Sequence, residues 1–91
     1  MPVRVHLPTV LRPLTGGEPV VTAHGDNLEE VFSDLEGRYP GLAEQLVDGR
    51  GGLQRYVNVF LGDEDVRYLD GLQTRVPDGA EISILPAVAG G

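Results

Sequence analysis

A single amphipathic helix among strand-like segments is the feature that most constrains how this chain folds. Apolar residues recur at i, i+3, i+4 and i+7 and form one stripe on a helix: Leu28, Val31, Phe32 and Leu35. Asp26 and Glu29 have the spacing of a capping box and predict the start of the helix, and Pro40 predicts its end. A lone helix must bury such a stripe against another element, and here the other elements are strands.

The segments around this helix have the alternation and the β-branched residues of strands. We predict strands at 1–7, 18–24, 54–61, 66–68 and 80–85, a short helical turn at 42–47, and loops at 8–17 and 48–52. In the last strand Ile82 and Ile84 are expected to face the core, and Pro86 to end the ladder. This order favours an α+β fold of the ubiquitin-like β-grasp type, a mixed sheet with one main helix packed on one face.

The charge and composition of the chain exclude several classes of function. The 91 residues include 14 acidic residues against seven arginines, a net charge of −7, which argues against a nucleic acid or an anionic membrane as partner. No apolar run approaches the roughly 20 residues of a membrane helix, and the first residues do not have the pattern of a signal peptide. Cysteine is absent, which removes disulfides and cysteine nucleophiles, so we expect a cytoplasmic protein.

Motifs of enzymes are also missing from the sequence. His6 and His24 do not have the spacing of metal ligands, and no serine lies in a G-x-S-x-G motif. The acidic triplet at 63–65 is typical of a solvated turn, and the glycine-rich segments lack the lysine of a phosphate-binding loop. We therefore expect no catalytic residue, no metal site and no bound cofactor.

The last six residues carry the functional signal of the sequence. Residues 86–91 contain no charge, are stiffened once by Pro86, and narrow to Gly90 and Gly91. Fully extended, six residues reach about 20 Å, and glycine passes through a slot that is too narrow for a Cβ atom. We therefore divide the chain into a folded domain, 1–85, and a carrier tail, 86–91. The tail residues Pro86, Ala87, Val88, Ala89 and Gly90 are expected to thread a partner's active site and to present the Gly91 carboxylate. A carboxylate is a poor electrophile, so it needs activation, for example as an acyl-adenylate made by a partner that uses ATP.

Longer segments of the chain show a resemblance to a known family. Residues 78–91 resemble the end of the MoaD/ThiS sulfur carriers, which are ubiquitin-like proteins with an exposed C-terminal Gly-Gly. Residues 7–17, 56–59, 63–67 and 85–91 are similar, in order and spacing, to the carriers of this family that serve cysteine biosynthesis. The resemblance implies that an adenylating enzyme similar to ubiquitin-activating enzymes loads the chain. Sulfur then replaces AMP and leaves a thiocarboxylate on Gly91, and no proteolytic trimming is expected before loading.

The resemblance also implies which partners the chain has. Besides the loading enzyme, a biosynthetic enzyme accepts the sulfur, similar to a cysteine synthase or to a thiazole or thiosugar synthase. In the cysteine branch a metalloprotease then frees the product. Tyr56, Phe60 and Leu85, with Val88 on the tail, are expected to form the docking surface for these partners, and the acidic surface to steer encounter with basic entrances.

Three other functions stay open from the sequence. The chain is alternatively the small subunit of a molybdopterin synthase, a ubiquitin-like modifier joined through Gly91 to lysines of target proteins, or a plain interaction domain. If the chain is a sulfur carrier, its sequence does not specify the final sulfur acceptor.

Lysine does not occur in the chain. We take a coding bias towards arginine as the main cause of this absence. Its consequence for a carrier with a reactive acyl terminus holds either way, because one activated copy meets no ε-amine on another.

Overall fold

A mixed β-sheet organises the chain. In the computed structural model, which describes residues 2–86, the sheet has five strands: β1 (Val3–His6), β2 (Val20–Ala23), β3 (Val57–Leu61), β4 (Glu64–Asp65) and β5 (Glu81–Pro86). Their order across the sheet is β2-β1-β5-β3-β4. The β1–β5 pair is parallel, and the other neighbouring pairs are antiparallel. The predicted α+β arrangement is therefore confirmed, including the parallel pair that the helical crossover makes possible.

Two α-helices join β2 to β3 and cover one face of this sheet. Helix α1 spans Leu28–Arg38, and the short helix α2 spans Leu42–Leu46. The predicted stripe of α1 is buried throughout: Leu28, Val31, Phe32 and Leu35. It packs on the inward side chains of the sheet, among them Ile82 and Ile84, which are 0 % and 1 % exposed and face the core as predicted.

The start of α1 differs from the sequence prediction by one residue. The N-cap is Asn27, not Asp26: Asn27 Oδ1 accepts the N–H of Glu30 at 2.8 Å. Glu30, not Glu29, completes the capping interaction, since its Oε1 accepts the N–H of Asp26 at 2.9 Å. Asn27 is held in extended conformation by a bridge to Arg75, so a tertiary contact decides where the helix begins.

The predicted loop 8–17 contains a 3₁₀ helix, Thr9–Thr15, which we call the proximal 3₁₀ helix. It is held by its own packing, because Leu11 is buried in the core and the Thr15 hydroxyl donates to the Glu18 carbonyl at 2.9 Å. Gly16, at φ 66°, ends it in the left-handed conformation that favours glycine.

The predicted strand at 66–68 is wrong. These residues form a 3₁₀ helix, Val66–Tyr68, and the edge strand is the preceding pair Glu64–Asp65. Asp65 explains the difference, because its Oδ1 accepts the N–H of Arg67 at 2.9 Å and so caps a helical turn. A further 3₁₀ helix spans Gly71–Gln73.

The predicted loop 48–52 is closed by hydrogen bonds. Asp48 Oδ1 accepts the N–H groups of Arg50 and Gly52 at 2.7 and 3.2 Å, and Val47 and Leu53 form a bridge across the base of the loop. The bond from Arg50 lowers the pKa of the Asp48 carboxyl, because it stabilises the charged form.

Candidate functional site

The end of β5 is the point from which the predicted carrier tail continues. Leu85 lies opposite Asn58, and Pro86 lies opposite Val57, in the antiparallel pair with β3. The strand therefore runs one residue further than the sequence predicted, since proline fits the extended conformation at the end of a strand. The predictions on Ala87, Val88, Ala89, Gly90 and Gly91 fall outside the described residues, 2–86.

The structure brings two of the three predicted docking residues to the outer face of the sheet. Leu85, 48 % exposed, and Phe60, partly buried, lie on neighbouring strands, opposite Asn58 and Ser83 respectively. Tyr56 is 52 % exposed but precedes β3, and it lines a different depression beside Pro86. Leu85 and Tyr56 therefore lie beside the end of β5, whereas Phe60 lies opposite the middle of the strand.

The proximal 3₁₀ helix contributes a residue that the sequence analysis missed. Val10, 72 % exposed, lies between two grooves that both reach Pro86. The Arg12 groove, about 470 Å³, is lined on one side by Pro8, Val10 and Arg12 and on the other by Ser83, Leu85 and Pro86. The Tyr56 groove, about 130 Å³, is lined by Pro8, Val10, Gln45, Tyr56 and Pro86. The available signal was the pair Val10-Leu11: a 3₁₀ turn that buries Leu11 leaves Val10 in solvent.

A hydrogen-bonded histidine–glutamate pair lies on the outer face of the sheet, and its histidine, His6, lines the Arg12 groove. His6 Nε2 and Glu81 Oε1 are 2.7 Å apart on the parallel strands β1 and β5. The hydrogen bond from His6, with a smaller contribution from the charge of Arg4, lowers the pKa of the Glu81 carboxyl.

Arg67 holds the part of β3 that pairs with the end of β5. Its Nη2 donates to the carbonyls of Gln54 and Val57 at 2.7 and 2.6 Å, and its Nη1 donates to Asn58 Oδ1 at 2.8 Å. Strand β4 pairs only with Phe60–Leu61, so the start of β3 lies at the edge of the sheet. The guanidinium satisfies carbonyls at this edge in place of a neighbouring strand. The sequence analysis did not single out this role.

Groups that would carry chemistry of their own do not converge elsewhere in residues 2–86. In this range no three histidine, aspartate or glutamate side chains come together as metal ligands. None of its helices has the length and apolarity to cross a membrane. Its buried polar side-chain atoms all have hydrogen-bond partners.

Comparison with known proteins places this fold and chain in a family. The sequence profile of the ThiS family matches residues 5–91. The chain is 53 % identical over 93 aligned residues to the sulfur carrier protein CysO of Mycobacterium tuberculosis, with 100 % of both chains covered. The crystal structure of M. tuberculosis CysO superposes with a TM-score of 0.92 at 51 % identity, over 94 % of this chain and 99 % of that one. A chain of the BexX/CysO complex of Amycolatopsis orientalis superposes with a TM-score of 0.91 at 47 % identity, over 98 % and 99 %.

These likenesses confirm the ubiquitin-like β-grasp fold that the order of elements predicted. The chain belongs to the ThiS family. The resemblance to the MoaD/ThiS sulfur carriers is thereby confirmed.

Proposed function

We propose that this chain is a sulfur carrier that holds sulfur as a thiocarboxylate at Gly91 and delivers it to a biosynthetic enzyme. The observation that supports this most directly is the identity, over the full alignment, to a protein that bears the name of sulfur carrier. Membership of the ThiS family and the matching fold support the same function.

The proposed chemistry has two steps, both performed by a partner. In the first, the Gly91 carboxylate attacks the α-phosphate of ATP, which forms an acyl-adenylate and releases pyrophosphate. In the second, a sulfur nucleophile attacks the acyl carbon and AMP leaves, so a C–S bond replaces the C–O bond to AMP. With hydrosulfide as the nucleophile this substitution gives the thiocarboxylate directly: AMP leaves with the former carboxylate oxygen, and the proton of hydrosulfide passes to solvent.

The chain contributes a handle for this chemistry and no acid, base or metal. Strand β5 is paired with β1 as far as Ser83 and with β3 as far as Pro86, which lies opposite Val57. From there residues 87–91 reach at most about 18 Å if fully extended. The tail is proposed to place Gly91 in the partner's active site while the exposed side chains around Pro86 dock outside it, namely Val10, Tyr56 and Leu85.

Two classes of partner follow from this proposal. One is an adenylating and sulfur-transferring enzyme similar to ubiquitin-activating enzymes, for which ATP is the co-substrate. The other is a sulfur-accepting biosynthetic enzyme, similar to a cysteine synthase or to a thiazole or thiosugar synthase. In the cysteine case a metalloprotease releases the product. Because ATP and these enzymes are intracellular, we propose the cytoplasm as the compartment.

The experiment is an intact-mass measurement of the purified chain after incubation with ATP, the organism's adenylating enzyme and a sulfide source. A mass gain equal to the replacement of one oxygen by one sulfur supports a carrier. Covalent adducts of the chain on lysines of other proteins would instead support a ubiquitin-like modifier. A stable complex with a large synthase subunit would support the molybdopterin-synthase alternative. Omission of ATP is the matched control and is expected to abolish the gain.

A further inference from the structure

The Arg12 groove combines a mainly apolar lining with two basic side chains, Arg12 and His6, and within residues 2–86 its lining contains no aspartate or glutamate. Its walls include Val10 and Leu85, which are 72 % and 48 % exposed, on either side of a depression of about 470 Å³. Exposed aliphatic side chains that face each other across a groove gain most when a partner's apolar side chain fills it.

Arg12 has no acidic partner in the described part of the chain. Its Nε donates to the carbonyl of Leu7 at 3.2 Å, which orients the guanidinium along the groove wall. Among residues 2–86 the close contacts between a basic and an acidic side chain are His6–Glu81 and Arg38–Asp34, and neither involves Arg12. Glu81 is hydrogen-bonded to His6, which lines the same groove as Arg12.

The ionisable side chains that line this groove are basic, whereas the chain as a whole is acidic. The chain as a whole carries a net charge of −7. A second copy would meet this groove with the same acidic surface, and like net charges oppose such association. A segment of another protein that carries its own carboxylate fits the uncompensated guanidinium, because Arg binds carboxylates with charge-assisted hydrogen bonds.

We propose that the Arg12 groove receives a segment of the adenylating partner in which an aliphatic or aromatic side chain lies next to an aspartate or glutamate. The apolar side chain packs between Val10 and Leu85, and the carboxylate pairs with Arg12. This inference rests on the proposed function for the identity of the partner. The acidic surface steers the encounter in general, whereas Arg12 adds one contact through a positive charge. That contact sets the position at which the tail enters the partner's active site.

The test uses the purified adenylating enzyme of the same organism as the probe and calorimetric titration as the readout. Arg12→Gln removes the charge, and Arg50→Gln, on the loop 48–52 away from the groove lining, is the matched control. We expect Arg12→Gln to weaken binding about tenfold, and Arg50→Gln to bind like the parent.

Val10 provides a second test that does not touch the Arg12–Leu7 hydrogen bond. Its side chain is largely in solvent, so Val10→Asp and Val10→Arg are expected to fold like the parent. Both lose the apolar contact, but only Val10→Asp repels the proposed carboxylate. We expect Val10→Asp to weaken binding at least fivefold more than Val10→Arg, with the difference shrinking at high salt.

Each outcome decides the proposal. Parent-like binding of both Arg12→Gln and Val10→Asp overturns it, and so does equal weakening by Val10→Asp and Val10→Arg. Self-association of the parent that Val10→Asp abolishes, seen by sedimentation, would assign the groove to a second copy instead. Binding and sulfur loading are measured separately. If the parent binds through the groove but never gains sulfur, the proposed function alone is refuted. If the parent gains sulfur but the charge variants bind like the parent, this inference alone is refuted.

Discussion

Replacing Arg67 by alanine is expected to destabilise the domain well beyond a surface substitution. The change removes three side-chain hydrogen bonds, to the carbonyls of Gln54 and Val57 and to Asn58 Oδ1, all between 2.6 and 2.8 Å. Hydrogen bonds to a charged group contribute about 1.5–3 kcal/mol each when well shielded. Arg67 is exposed to solvent, so we take about 1 kcal/mol for each bond and expect a loss of about 2–3 kcal/mol.

The assay is reversible unfolding followed by circular dichroism. For a domain of this size 1 kcal/mol corresponds to a shift of about 4–8 °C, so Arg67→Ala should lower the Tm by roughly 10–20 °C. Arg67→Lys keeps the charge but loses the fork geometry, and about half of the loss is expected to remain. Amide exchange should accelerate at residues 57–58 and 85, where β3 pairs with the end of β5.

Arg50→Ala is the control, because its side chain is exposed on the loop 48–52 and should change the free energy of unfolding by less than about 0.5 kcal/mol. If Arg67→Ala stayed within that same margin, the argument that this guanidinium replaces a missing strand at the edge of β3 would be wrong.

Three further predictions concern the tail, the absence of lysine and the loss of thermal stability at acid pH. Deletion of 90–91 should leave the Tm unchanged but abolish ATP–pyrophosphate exchange by the adenylating partner. One alanine added after Gly91 should have the same two effects. Exchange at the normal rate with either variant would contradict the argument that the partner's active site is a slot built for a terminal glycine. Arg50→Lys places an ε-amine on the surface at unchanged charge, so the activated protein at high concentration should form covalent dimers linked through Gly91; strictly monomeric protein with adenylate present would refute the protection that lysine absence gives. The pKa of Glu36 is lowered from 4.5 because its carboxylate accepts two backbone N–H groups at the start of α2, so its contribution to stability is present above pH 4.5 and is lost as the pH falls through the lower folded pKa. Glu36→Gln should therefore flatten the fall of Tm between pH 4.5 and acid, and an unchanged slope in melts across that range would show that this carboxylate does not contribute.

The periodicity of the sequence correctly predicted an element and its buried side chains wherever the local pattern and the tertiary fold bury the same residues. The stripe of α1 is an example, because the i, i+3, i+4, i+7 positions of a helix face the sheet whatever the details of the loops. The alternation of β5, with Ile82 and Ile84 inward, is another. The family resemblance added the functional expectation that no motif within the folded domain supplies.

The features that escaped prediction depend on contacts distant in sequence. Val66 looks like part of a strand because it is apolar and buried, but the Asp65 cap turns the chain into a 3₁₀ helix. Arg67 reaches groups nine to thirteen residues away, and Val10 becomes a groove wall only because β5 ends beside it. Such residues do not recur with the period of a helix or a strand, so the sequence pattern does not reveal that they lie near the end of β5.

The central claim, that sulfur resides at Gly91 and leaves from there, is tested most directly with a sulfide source labelled by a heavy sulfur isotope. The loaded chain is isolated and fragmented in the mass spectrometer, then incubated with the sulfur-accepting enzyme and its small-molecule substrate. We predict the labelled sulfur on the C-terminal fragment that contains Gly91, its loss from the chain on incubation, and its appearance in the small-molecule product. Label elsewhere in the chain, or label retained at Gly91 while unlabelled product forms, would contradict the account.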